Sequence, residues 1–216
     1  MLGWSYLLFS MFVLPFVISF GTYALGLSIS ETLLNLIFFG VNFTAVALIF
    51  RRFLSASVKV MTSAPWRTLR FAFFGIVLYF AGMHLVSLGI LRIYPDFSNV
   101  NDEAVSQMTQ EYTIVMNLFT ILLVPITEET LYRGLLFQGL QRKNRVLAYV
   151  VSTAVFAGIH ILAYIGFYDW KLLALCFVQY IPAGITLAWA YEKADTIVAP
   201  ILMHITINQI GISAMR

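Results

Sequence analysis

Long apolar runs, broken by short polar stretches, dominate this chain from end to end. Seven runs can be drawn, roughly Trp4–Gly26, Thr32–Phe50, Leu69–Leu91, Thr113–Leu140, Val146–Ile165, Leu172–Tyr191 and Thr196–Ile212. A run of roughly 18 apolar residues or more is long enough to cross the hydrocarbon as a helix. The pattern therefore predicts an all-α protein, a polytopic transmembrane helical bundle of about seven spans. It divides into 1–112, with three N-terminal spans and an acidic loop, and 113–216, with four spans that hold the candidate chemistry. Pro15 and Pro125 predict kinks in the first and fourth spans, because proline removes a backbone donor and clashes with the preceding turn. The first twenty residues have neither a basic n-region nor a small-residue cleavage site. They read as a retained span and not as a removed signal.

Composition agrees with a bilayer setting. Apolar residues make up 61% of the chain and charged residues 11%, with a mean hydropathy of +0.88. That excludes a soluble domain, which could not hide so much apolar surface. It also excludes a nucleic-acid surface, since no stretch is both basic and soluble. Cys176 is the only cysteine, so there is neither a disulfide framework nor a cysteine zinc site. No internal repeat or low-complexity segment is visible.

Loop charges give the threading. The segment between spans two and three holds Arg51, Arg52, Lys59, Arg67 and Arg70 with no acid. The next holds Arg92 against Asp96, Asp102, Glu103 and Glu111, and the next Arg142, Lys143 and Arg145. Basic, acidic, basic is the alternation expected of the positive-inside rule. It predicts a multi-pass protein of the cell membrane with its N-terminus in the cytoplasm and its C-terminus outside. The basic segments read as topology signals.

Ionisable groups inside the spans are the informative exceptions, since each costs at least about 2.5 kcal/mol to insert. Span four contains Glu128, Glu129 and Arg133, span five His160, and span seven His204 and Asn208. Counted from the predicted cytoplasmic ends at about 1.5 Å per residue, Glu128 and His160 lie about 20 Å deep, and Asn208 about 18 Å. Arg133 and His204 lie about 12 Å deep on the same count. Three spans threaded in opposing directions thus bring their polar groups to one layer.

Helical phase suggests roles. Glu129 and Arg133, at i and i+4, can pair on one face. Glu128 is turned about 100° from Glu129 and is left free to face His160 and the ridge of His204 and Asn208. A carboxylate beside an imidazole can orient a water and take its proton, and an amide with an imidazole can stabilise an oxyanion. That is a hydrolase arrangement. Phe156 shares a face with His160. Read singly, Glu129 with Arg133 is a structural ion pair, His84 an interhelical hydrogen-bonding group, and Asn208 interhelical glue. Tyr132 and Tyr180 are within reach of the site, with their directions open.

The motifs Glu128-Glu129-Thr-Leu-Tyr-Arg133, Phe156-Ala-Gly-Ile-His160 and His204-Ile-Thr-Ile-Asn208, in that order, resemble those of the type II CAAX prenyl endopeptidase and bacteriocin-processing (CPBP, Abi) family. The resemblance covers roughly residues 120–212 and implies a CPBP-like catalytic core within 113–216. It implies an intramembrane glutamate protease with no cofactor. Glu128 would be the general base assisted by His160, and His204 with Asn208 the oxyanion hole. Glu129 and Arg133 would support the helix. The family also includes bacterial proteins of bacteriocin maturation or self-immunity, and scaffolds, which this chain's size resembles. The implied partners are the lipid bilayer and a peptide or protein substrate at the membrane, lipidated or bacteriocin-like. Three other readings stand beside it. One is a zinc peptidase with Glu128, His160 and His204 as ligands. Another is a non-enzymatic immunity or scaffold protein. The third is a transporter using the polar cluster for protons.

Overall fold

Several of the helices begin at a side chain that accepts one of the first free N–H groups. Ser30 accepts from the Leu33 N–H at 3.3 Å, Asn144 from Leu147 at 2.9 Å, and Asp169 from Lys171 at 2.8 Å; each such cap is worth about 1 kcal/mol. The computed structural model describes residues 2–111 and 113–214. The side chain of Glu111, counted in the acidic loop, lies outside them. Ten helical segments follow in order: α1 (Leu2–Phe12), α2 (Leu14–Ala24), α3 (Glu31–Ile49), α4 (Arg51–Ser63), α5 (Pro65–Ile93), α6 (Val100–Glu111), α7 (Ile114–Gln141), α8 (Arg145–Leu162), α9 (Trp170–Ala194) and α10 (Val198–Ala214).

The chain is a polytopic helical bundle, with five or six candidate membrane spans in place of the seven predicted. Helices α3, α5, α7, α8 and α9 are long and apolar enough to cross a membrane. Helices α1 and α2 make a sixth if the pair, bent by 55° at Val13, is one span. The bend sits where Pro15 leaves the Met11 carbonyl without its helical donor. Helix α10, the predicted seventh span, has 17 residues and falls short of that length. Two segments predicted as loops are helices. In α4, Phe53 and Leu54 pack inward while Arg51, Arg52 and Lys59 face out. His84 is exposed on α5 and makes no hydrogen bond among the described residues, so it is not interhelical glue.

Pro125 acts differently from Pro15. Here the helix widens into a π-turn over Phe119–Leu123, and the Val124 N–H reaches back to the Phe119 carbonyl. The next donor would be the nitrogen of Pro125, which has no hydrogen, so the Thr120 carbonyl loses both its α and its π partner. The Asn208 amide of α10 donates to it at 2.8 Å. A second π-helical stretch covers Thr130–Phe137. The predicted kink is thus a π-turn repaired from a neighbouring helix.

The largest buried cluster takes Leu7 from α1, Val46 from α3, Leu131 and Tyr132 from α7, Phe156 from α8, Leu187 from α9 and Met203 from α10. Lipid tails are as apolar as these side chains, so close packing rather than water exclusion must hold the helices together. Small residues set the approach. A Cβ on Gly184 of α9 would lie 2.6 Å from Thr153 Cγ2 and 3.0 Å from Thr153 Cα on α8. Glu192 ties three helix ends: Arg145 grips both its oxygens at 2.7 and 2.8 Å, and Gln141 and Tyr149 donate to it at 2.8 and 2.9 Å. Gly184→Ala should therefore destabilise the bundle by about 1–3 kcal/mol through overpacking. Thermal melting in detergent measures this, and Gly211→Ala, with open space at its Cβ, should melt like wild type.

Candidate active site

The i, i+4 pair predicted on α7 forms at the centre of the bundle. Arg133 Nη1 donates to Glu129 Oε1 at 2.9 Å, and both side chains are fully buried. Neither charge could stay there alone, because an isolated ion in such a medium is heavily disfavoured. Arg133 is further satisfied by the Gly184 carbonyl of α9, 3.3 Å from Nη2, and by the Phe156 ring of α8, whose centroid lies 4.4 Å from the guanidinium carbon. Gly184 therefore serves twice, letting α8 approach α9 and offering its carbonyl to Arg133.

His204 of α10 completes this knot. Its Nδ1 lies 2.8 Å from the same Glu129 Oε1. This corrects the expectation that His204 would face Glu128. A carboxylate oxygen has two lone pairs, so pairing with Arg133 does not exhaust Glu129. The step of about 100° from residue 129 to 128 turns the other carboxylate away from α10. The ionised carboxylate accepts, so His204 carries its hydrogen on Nδ1.

Phe156 is the hub of the site. Its ring lies 4.7 Å from the His160 ring centroid and 6.0 Å from both His204 and Tyr132. His160 Nδ1 stands 2.7 Å from the Phe156 carbonyl. A carbonyl only accepts, so the hydrogen is on Nδ1 and Nε2 keeps a free lone pair. Tyr180 of α9 stacks on His160 with centroids 4.1 Å apart. The Tyr180 hydroxyl donates to Asp102 of α6 at 2.9 Å and accepts from Asn101 at 3.0 Å. Asn99 adds a 2.6 Å bond to Gln179. Burial pushes the Asp102 carboxyl up, against the pull of the Tyr180 hydrogen bond and of His160.

Sequence reasoning counted Asp102 only as a loop charge, because α6 has no apolar run to announce it. Tyr180 carried a usable signal. It lies four residues before Gly184, on the face of α9 that meets α8.

Glu128 stands apart from both clusters. It lines a cavity of about 30 Å³ between α3 and α7 with Phe38, Phe39, Asn42, Val124 and Thr127, and its Oε2 is buried without a hydrogen-bond partner. No hydrogen bond joins Glu128 to His160 among the described residues. Asn208 spends one amide hydrogen on Thr120, leaving a second hydrogen and its carbonyl oxygen. The structure thus joins Glu129, Arg133, His204 and Phe156 directly, sets His160 beside them through Phe156, and attaches Asn208 to the same helix α7. Among the described residues no three His, Cys, Asp or Glu side chains converge as metal ligands. The alternative zinc set Glu128, His160 and His204 is not assembled.

Residues 110–210 match the family described as Type II CAAX prenyl endopeptidase Rce1-like. The second half of the chain is similar to this family. This family is one of CAAX-type intramembrane proteases, and all three motifs lie within the matched residues. The UPF0177 protein YxdF of Lactococcus lactis subsp. lactis is a relative, 26% identical over 144 residues, which are 66% of this chain and 75% of YxdF. No solved structure matches.

Within the matched residues the buried knot predicts its own fragility. Arg133→Met strands the Glu129 charge and should cost about 3–5 kcal/mol. Adding Glu129→Gln to make the double variant should recover part of that loss. Melting temperatures in detergent test it; a double variant no more stable than the single one would contradict the pairing.

Proposed function

We propose that this protein is an intramembrane endopeptidase that hydrolyses a peptide bond of a membrane-presented peptide or protein without a metal. One observation carries the choice of base. Both carboxylates keep one buried oxygen without a partner, but Glu129 is tied through its other oxygen to Arg133 and His204 with its side chain fully buried, whereas Glu128 lines a cavity. A general base needs a free lone pair and room beside it for the water whose proton it takes. Glu128 takes one proton of a water as its oxygen attacks the carbonyl carbon. The carbon–nitrogen bond then breaks, and the proton passes to the leaving amine.

His160 keeps Nε2 free for the substrate side of the site, since it does not line the Glu128 cavity. His204 and Asn208 face the oxyanion. Since His204 Nδ1 is committed to Glu129, donation from Nε2 requires the doubly protonated ring, whose charge Glu129 balances. Asn208 would donate its second amide hydrogen. The charge asymmetry of the helix ends supports placing Arg51, Arg52, Lys59 and the turn at Arg142 on the cytoplasmic side.

A second reading draws on a separate observation. His204 and Asn208 each make a bond that holds helices together, which is also what an immunity or scaffold protein without catalysis would need. One comparison separates the two. Peptides released from membranes that contain the wild type are compared by mass spectrometry with those from Glu128→Ala membranes. The expected result is a product present with wild type and absent with the variant, at equal melting temperature. Equal release from both would overturn the protease reading, and no release from either would favour the scaffold.

A further inference from the structure

The cavity beside Glu128 is built by more than the motif-bearing helices. Asn42 of α3 lines it opposite Glu128, in the middle of an otherwise apolar span. Tyr6 of α1 donates its hydroxyl to Asn42 Oδ1 at 2.7 Å. That bond turns the amide so that Nδ2 is its free end, and Nδ2 has no partner among the described residues. Across the same cavity, Glu128 Oε2 is buried without a donor. Residues with a free donor and a free acceptor thus line one cavity.

The space fits a small ligand. A water needs about 10–15 Å³ of room measured at its centre, and at least two polar partners. The cavity offers about 30 Å³ and is lined by both Asn42 and Glu128, one with an amide donor to spare and the other with a carboxylate acceptor. Phe38, Phe39 and Val124 form its apolar walls, and the Thr127 hydroxyl is occupied by the Leu123 carbonyl at 2.9 Å. No larger polar ligand could be held there.

We propose that Asn42, clamped by Tyr6, binds the water molecule that Glu128 deprotonates, which makes Asn42 a positioning residue contributed from outside the matched residues. This rests on the protease reading above. The water donates one hydrogen to Glu128 Oε2 and accepts from Asn42 Nδ2. Its second lone pair is left to attack carbon as the first proton moves to Glu128. Tyr6 acts one step further out, fixing which end of the amide faces the water.

Two measurements test it separately. Crystal structures from lipidic mesophase are compared for wild type and Asn42→Leu. Wild type should show an ordered water within hydrogen-bonding distance of both Glu128 and Asn42. Asn42→Leu should lose it with the helices unmoved. A wild-type cavity without that density overturns the site whether or not the protein cleaves anything. The second measurement uses the peptide released in the Glu128→Ala comparison. Asn42→Leu should lower kcat about 100-fold, the scale of a general-base contribution, with KM nearly unchanged. Asn42→Asp, which keeps the shape but removes the donor, should behave like Asn42→Leu, and Tyr6→Phe should fall between these and wild type. Wild-type kcat in Asn42→Leu and Asn42→Asp overturns the positioning role. If no peptide is released at all, the protease reading fails, and the density alone decides the water site.

Discussion

Glu129 Oε1 is the point on which the bundle turns. It receives Arg133 from its own helix and His204 from α10, and Arg133 carries the contact on to Gly184 of α9 and the Phe156 ring of α8. Four helices are thereby tied through one buried ion pair. In water such a pair contributes little, since desolvation offsets much of its attraction. In a bilayer interior, where apolar packing barely distinguishes a neighbouring helix from lipid, the same pair fixes which helices meet and at what depth.

The second constraint is the proline in α7. Pro125 costs the helix a donor, and the π-turn before it leaves the Thr120 carbonyl open to Asn208. Asn208 thus holds α10 against α7 four residues beyond His204, which does the same one turn earlier through Glu129. The two contacts pin α10, the shortest of the apolar helices that follow α7, where its length alone would hold it weakly.

Much of this was legible in the sequence, and the failures have identifiable causes. The apolar runs located the helices, and rise per residue predicted that α7, α8 and α10 would share a polar layer. The spacing of Glu129 and Arg133 predicted their bond. Phase alone could not place His204, because it treated an ion-paired carboxylate as spent, whereas Oε1 has a lone pair to spare. Asp102 was hidden because a short amphipathic helix outside the membrane has no long apolar run. Asn42 was hidden for the opposite reason: a single amide in an apolar span resembles ordinary interhelical glue until its neighbours are known. The bend at Pro15 and the π-turn at Pro125 show that the same residue has two outcomes. Which one follows depends on whether another helix can supply the missing donor.

The charges of the site explain why two adjacent glutamates can have different work. Arg133 lies close enough to interact with both carboxylates, yet it hydrogen-bonds only Glu129. One guanidinium cannot neutralise two carboxylates, so a doubly protonated His204 would bring the group of four to zero net charge. In the proposed reaction Glu128 becomes neutral as the substrate oxygen becomes negative. The cluster and the oxyanion together keep the same total, and a negative charge only moves from one side of the positive pair to the other. In a medium of low dielectric, relocating a charge near fixed partners costs far less than creating one. Glu129 is therefore more than a prop for Arg133. In the proposed reaction, by holding Arg133 and His204 it leaves the neighbouring carboxylate free to change its charge.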